Sequence, residues 1–173
     1  MPDRTDAPFS YPEVGATRSG TVPPGYRRLH RGIVLGRGGA RFEEAAGALL
    51  GWRMHLAAGL TVRADRATAE PGTAVLLGVG VGRLRITAPC RVVYVVDEPR
   101  RRGFAYGTLG GHPERGEELF LVDLLPDDTV RLTVTAFSRP ATWWARAAPL
   151  PARLAQHVIV GRYLRSLRRV SGR

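Results

Sequence analysis

Apolar and polar positions alternate through the middle of the chain, and helical spacing brackets that stretch on both sides. Period two marks a half-buried strand, and period 3.6 marks an amphipathic helix. Tyr26 to Leu35 (YRRLHRGIVL) reads as a strand entered from a turn. Residues 40–51 then place Phe42, Ala45, Ala46, Leu49 and Leu50 at helical spacing, with Glu43 and Glu44 in the first turn. Carboxylates there suit the helix dipole. Trp52, Met54 and His55 follow in a second short helical turn ending near Gly59.

From Leu60 to Ser138 the pattern predicts strands. They run Leu60–Arg66, Thr73–Gly82, Leu84–Val96, Gly103–Leu109, Glu117–Leu125 and Val130–Ser138. In the third of these, Ile86, Ala88, Cys90, Val92 and Tyr94 share a face with Leu84, and Pro89 signals a bulge or break. In the last, Leu132, Val134 and Ala136 face one way and Thr133, Thr135 and Phe137 the other. After Arg139-Pro140 the period becomes helical again. Ala141 to Ala148, with Trp143 and Trp144, leads to a main helix over about Pro151–Arg169. Its expected buried stripe is Leu150, Leu154, His157, Val158, Gly161 and Leu164. Residues 1–25 carry five prolines and read as an extended arm, anchored by Phe9, Tyr11 and Val14, ahead of one domain over 26–173.

A strand, one or two helices, a run of antiparallel strands and a terminal helix give an α+β order. A curved antiparallel β-sheet around a long C-terminal helix satisfies it. That is the helix-grip arrangement of START and Bet v 1-like proteins, which commonly hold a cavity between sheet and helix.

Composition narrows the partners. No apolar run is long enough to span a bilayer. The first ten residues lack the apolar segment of a signal peptide, and Cys90 is alone. These features lead us to expect a cytoplasmic protein. The net charge is +11, and all 26 basic residues are arginine. Residues 111–128 hold one Arg against six acids, whereas residues 129–173 hold nine Arg and no acid. The basic third could attract nucleic acid or an anionic membrane. No interleaving of aromatics with arginine accompanies it, so a solvated face that offsets the acidic hairpin is favoured. The Arg100-Arg101-Arg102 run reads as a solvated turn, with an anion site as the sharper alternative. Leu35 to Phe42 (LGRGGARF) has the position of a phosphate loop but not its glycine spacing, because Arg41 occupies the third glycine position.

Candidate chemistry concentrates in Gly103–Glu118, GFAYGTLGGHPERGEE. Alternation puts Phe104, Tyr106 and Thr108 on one strand face, and Glu118, Phe120 and Val122 on one face of the next. A cavity under the helix would then present Tyr106, Thr108 and Glu118. His112, Glu114, Arg115 and Glu117 would sit at its rim. As an enzyme site, His112 is a candidate general acid/base oriented by Glu114 or Glu117, with Tyr106 as donor to a developing oxyanion. As a binding site, Tyr106, Thr108 and Glu118 would orient a small apolar ligand together with Arg139 and Trp52. Trp52 and Met54 also read simply as core packing. His112, Glu114 and Glu118 are metal-ligand types without a metal-motif spacing, so no metal or cofactor is expected. The structural alternative is that Arg115 and Arg139 pair with the glutamates and dock the acidic hairpin on the basic helix.

Five stretches also resemble the family DUF1990, also called UPF0548. They are FSYPEVGAT (Phe9–Thr17), LGRG followed by the helix and WRMH (Trp52–His55), CRVVYVVDEP (Cys90–Pro99), GFAYGTLGGHPERGEELFLV (Gly103–Val122) and AFSRPATW (Ala136–Trp143). With Arg162-Tyr163-Leu164 they span nearly the whole chain. Gly110 departs from the proline expected in the family's turn, which loosens that turn. The resemblance implies a single-domain cytoplasmic protein of a kind found in bacteria and plants, and it brings no activity with it.

Overall fold

Seven strands and three helices were found in a computed structural model that describes residues 6–80, 86–141 and 149–170, with side chains from 157 onward in the last segment. The order is β1 (Arg27–Arg37), α1 (Gly39–Leu50), α2 (Arg53–Ala57), β2 (Thr61–Ala64), β3 (Ala74–Val79), β4 (Ile86–Glu98), β5 (Arg101–Thr108), β6 (Glu114–Leu124), β7 (Thr129–Pro140) and α3 (Pro149–Val170). The strands form one antiparallel sheet in the order β1-β7-β6-β5-β4-β3-β2. The first strand pairs with the last, so α1 and α2 carry the chain from one sheet edge to the other. The curved sheet and its C-terminal helix are the helix-grip arrangement expected from the element order. The expected helix over Ala141–Ala148, with Trp143 and Trp144, lies beyond Ala141 outside the described residues, as do Leu84 and the side chains of Leu150 and Leu154. None of the helices is long and apolar enough to cross a membrane, among the described residues.

Alternation fixes which side chains meet. Phe104 and Tyr106 of β5, Phe120 and Val122 of β6, and Leu132 and Val134 of β7 turn to the helices. There they pack with Phe42 and Leu49 of α1, Met54 of α2, and Val160, Tyr163 and Leu167 of α3. Gly51 ends α1, and Gly38, at φ 90°, makes the strand-to-helix turn before it. That turn is held by the Gly38 N–H donating to the Asp128 carbonyl at 2.8 Å, in place of a phosphate grip. Because α1 starts at Gly39, Glu43 and Glu44 fall in its second turn and not its first.

Three expectations change. Tyr94 does not share a face with Val92, because the register of β4 against β5 shifts between Val92 and Tyr94. That bulge inserts one residue and turns Tyr94 outward onto Ala105, Leu119 and Leu121. Pro89 stays in the ladder opposite Leu76. The buried stripe of α3 is rotated from the expected one. Val160, Tyr163, Leu164, Ser166 and Leu167 are buried, while Val158 is 43% exposed and His157 is exposed. The Ser166 hydroxyl donates to the Met54 carbonyl at 2.8 Å, which sets this rotation against α2.

The third concerns charge. Arg100 donates to the carbonyls of Leu124 and Leu125 and lies 3.7 Å from Asp128. Arg101 pairs with Asp123, and Arg102 with Glu43 and Asp97. The arginine run therefore staples two β-turns and a helix together and is not a free anion site. Among the described residues no ion pair joins the acidic hairpin to the arginines of α3.

Candidate functional site

A cavity of about 250 Å³ lies between the sheet and α3. Its walls are mostly apolar, with Leu60, Leu77, Val79, Ile86, Ala88, Ile159 and Val160 among them. Polar groups gather at one end: Tyr106 and Thr108 from β5, His112 ahead of β6, Glu114 and Glu118 from β6, Ser138 from β7 and Tyr163 from α3. Glu114 and Glu118 share a face because β6 begins at Glu114, not at Glu117 as the pattern suggested. Gly116 stands between them, where a Cβ would meet the Phe137 backbone of β7 at 1.9 Å.

The Tyr106 hydroxyl donates to the Glu118 carboxylate at 2.8 Å. Burial pushes the Glu118 carboxyl up to about 7, and the Glu114 charge adds to this while the Tyr106 bond opposes it. Glu114 is also raised by burial, against a Ser138 hydrogen bond and the Arg27 charge. Burial beside Glu118 holds the phenols of Tyr106 and Tyr163 well above the usual range, so both stay neutral donors. Glu118 can therefore give or take a proton near neutrality.

His112 is placed differently. Burial lowers its ring to about 4, against a backbone hydrogen bond from Glu114. Its Nδ1 lies 2.9 Å from the Glu114 backbone. The carboxyls of Glu114 and Glu117 do not orient it. The expected general acid/base is thus a neutral ring tied to its own hairpin, and the hydrogen-bonded pair of titratable groups facing the cavity is Tyr106–Glu118.

The other expected site residues separate. Thr108 borders the cavity, but its hydroxyl accepts from the Gly116 N–H at 3.0 Å and is hydrogen-bonded to the Ser10 hydroxyl at 2.7 Å. Arg139 lies on the opposite sheet face, its guanidinium 4.6 Å from the centre of the Tyr26 ring. Trp52 is core, packed edge-on against Phe104 with its indole N–H donating to the Arg66 carbonyl. Arg115, in register with Arg139, also faces away from the cavity. The Glu117 carboxylate does as well. The residue is 2% exposed and accepts from Tyr11 at 2.7 Å, the Gly15 N–H at 2.7 Å, the Thr17 N–H at 3.0 Å and the Thr17 hydroxyl. Glu117 borders the cavity, but its carboxylate holds residues 11–17 across the outer sheet face.

Two neighbours of the site were not singled out by sequence as part of it. Tyr163 closes the cavity from α3. The i, i+3, i+4, i+7 spacing of Val160, Tyr163, Leu164 and Leu167 carried that signal. His55 is fully buried among the rings of Trp52, Phe104, Tyr106, Phe120 and Tyr163, and neither of its nitrogens finds a protein partner. Burial lowers it to about 3, so it is a neutral ring backing the two cavity phenols. No local pattern marks such a residue.

Among the described residues no group of three His, Cys, Asp or Glu side chains is arranged to hold a metal ion. A larger groove of about 1000 Å³ crosses the outer sheet face over Tyr94, Leu119 and Leu121. Its walls mix Arg18, Arg28, Arg101 and Arg131 with Asp97, Glu98 and Asp123, so no single ligand charge is favoured there.

The raised Glu118 has a measurable consequence. Between its ordinary value, near 4.3, and about 7 the folded state holds more protons than the unfolded chain, so this group's contribution to stability falls as pH rises through that window. Glu118→Gln removes the titration. The variant should match the wild type at pH 4 and exceed it above pH 7 by on the order of 2 kcal/mol. Urea midpoints measured from pH 4 to 8 test this; a difference that does not change with pH would refute the assignment.

Comparison with known proteins places the chain in context. The family described as Domain of unknown function (DUF1990) matches residues 10–166. A UPF0548 protein from Deinococcus radiodurans is 36% identical over 179 residues, covering 98% of this chain and 90% of that protein. A hypothetical protein, jhp0584, from Helicobacter pylori has a similar fold with a TM-score of 0.68 at 13% identity, covering 95% of this chain and 96% of the other. A norcoclaurine synthase point mutant from Thalictrum, in complex with a transition-state analogue, matches with a TM-score of 0.56 at 11% identity, covering 85% of this chain and 97% of the other. At these identities the two structures speak to the fold alone.

Proposed function

The chain belongs to the DUF1990 family, and on that premise we propose that it binds a small, largely apolar ligand in the cavity between sheet and C-terminal helix. The observation that carries this reading is the cavity itself: mostly apolar walls with the Tyr106–Glu118 pair at one end. Apolar walls with a few convergent polar groups and a perturbed carboxyl are the usual make-up of a ligand site. At about 250 Å³ the space is just under the range of drug-sized pockets, so the ligand is small. Tyr106 and Glu118 would orient it. Thr108, already engaged by Ser10 and Gly116, shapes the wall. Trp52 and Arg139 have no place in this reading, because neither borders the cavity.

Ala88 of β4 lines the cavity and is partly exposed to it. Ala88→Phe fills space with a residue that strands tolerate. 1-Hexanol should raise the melting temperature of the wild type by mass action on the folded state. The variant should fold, and its hexanol affinity should drop at least about tenfold. Equal stabilisation of both proteins would place the alcohol elsewhere. No response of the wild type to hexanol or to larger lipophilic alcohols would end the ligand-binding reading.

A further inference from the structure

We propose that the ligand of this cavity carries a basic amine, seated as an ammonium against Glu118 and Tyr106 with its apolar part toward Leu77 and Val160. This rests on the ligand-binding reading above and narrows it to a chemical class.

Three observations carry it. First, the charged residues lining the cavity are Glu114, Glu117 and Glu118, the last of these paired with Tyr106 and the Glu117 carboxylate turned to the outer sheet face, and among the described residues no arginine lines it. This occurs in a protein with 26 arginines and a net charge of +11. The cavity has the opposite sign from the molecule around it. Second, the carboxyl is preorganised. Tyr106 donates to one oxygen of Glu118 at 2.8 Å, and among the described residues no hydrogen bond reaches its other oxygen. An ammonium donates and never accepts, so it fits a carboxylate end; a ligand carboxylate or phosphate would meet two like charges, of which only Glu114 is offset, by Arg27. Third, the groups facing Glu118 leave its charge uncompensated. They are Tyr106 from β5, Cys90 from β4, Glu114 from its own strand and Tyr163 from α3, with His112 neutral at the mouth. None is a cation. A buried carboxylate without a cation is costly, and an ammonium ligand supplies the missing partner.

A proton balance follows. An alkylammonium arrives protonated, and Glu118 below neutrality also holds its proton. Pairing requires Glu118 to lose it, so binding releases a proton at pH 6 and almost none at pH 8. Affinity for the amine should therefore rise with pH across that interval, while a neutral alcohol shows no such trend.

The test compares hexylamine, 1-hexanol and hexanoate, which share a chain and differ in the head group. Isothermal titration in two buffers of different ionisation enthalpy reads both affinity and protons released. At pH 8 hexylamine should bind roughly tenfold or more tightly than hexanol, and hexanoate should bind more weakly than either. At pH 6 about one proton should be released per hexylamine bound. Glu118→Gln should bring hexylamine down to the level of hexanol and abolish proton release. The wild-type pH profile stands as a separate check should that variant fail to fold. Hexanol binding as tightly as hexylamine at pH 8, or hexylamine binding without proton release at pH 6, overturns the amine class and leaves the apolar-ligand reading intact. Absence of binding by any of the three overturns both.

Discussion

Gly116→Ala should destabilise the protein by at least about 3 kcal/mol, or prevent folding, although it adds one methyl group. Gly116 sits in β6 at φ 150°, where an L side chain is strained. A Cβ built there falls 1.9 Å from the Phe137 carbonyl oxygen and 2.9 Å from its carbon. Both atoms are backbone of β7, and cannot rotate away as a side-chain tip would. Relief requires opening the β6–β7 ladder beside Glu117↔Phe137, the pairing that positions the cavity carboxyls. Gly47→Ala is the control. Gly47 lies in α1, nothing approaches its Cβ position within 4 Å, and alanine there should stabilise by about 0.5–1 kcal/mol. Urea denaturation of both variants decides the matter. A Gly116→Ala protein as stable as wild type would mean the strands are not packed this closely.

Glu117→Ala should cost about 3–5 kcal/mol. The carboxylate is buried and accepts from Tyr11, Gly15 and twice from Thr17. Alanine removes every acceptor at once, and each stranded buried donor costs about 1–3 kcal/mol until water reaches it. The Thr17 hydroxyl also meets Tyr94 at 2.7 Å, and Tyr11 packs edge-on against Phe137, so the loss propagates into the outer face. Glu117→Gln keeps the shape and one acceptor oxygen and should cost less. Hydrogen exchange should show loss of protection confined first to residues 11–20. A loss under about 1 kcal/mol with that segment still protected would show that aromatic packing alone holds it.

These two neighbours on one strand illustrate what could be read in advance. Element types and strand faces are local properties. The inward set Phe104, Tyr106, Glu118, Phe120, Leu132 and Val134 followed from period two, because successive side chains in a strand must point to opposite faces. Where the strand began was less legible. Starting β6 at Glu117 hid the fact that Glu114 has the parity of Glu118 and belongs to the cavity. One bulge after Val92 was enough to send Tyr94 to the wrong side.

The sequence by itself determined the order of elements, the antiparallel sheet with its terminal helix, and the hairpin on which the polar groups gather. Periodicity and turn residues encode these within a few positions of chain. Only the tertiary structure decided the partners. Tyr11 and Glu117 are 106 residues apart, and Ser166 and Met54 are 112 apart. Tertiary packing also sent Arg139 onto Tyr26 and away from the cavity, and enclosed His55 among aromatic rings. The physical reason is that charge and hydrogen-bonding capacity belong to a residue, whereas burial and the identity of its partner are set by chain brought from far away. That is why Glu117 and Glu118, adjacent and identical in the sequence, became a buried anchor for the N-terminal segment and a carboxyl near neutrality facing a cavity.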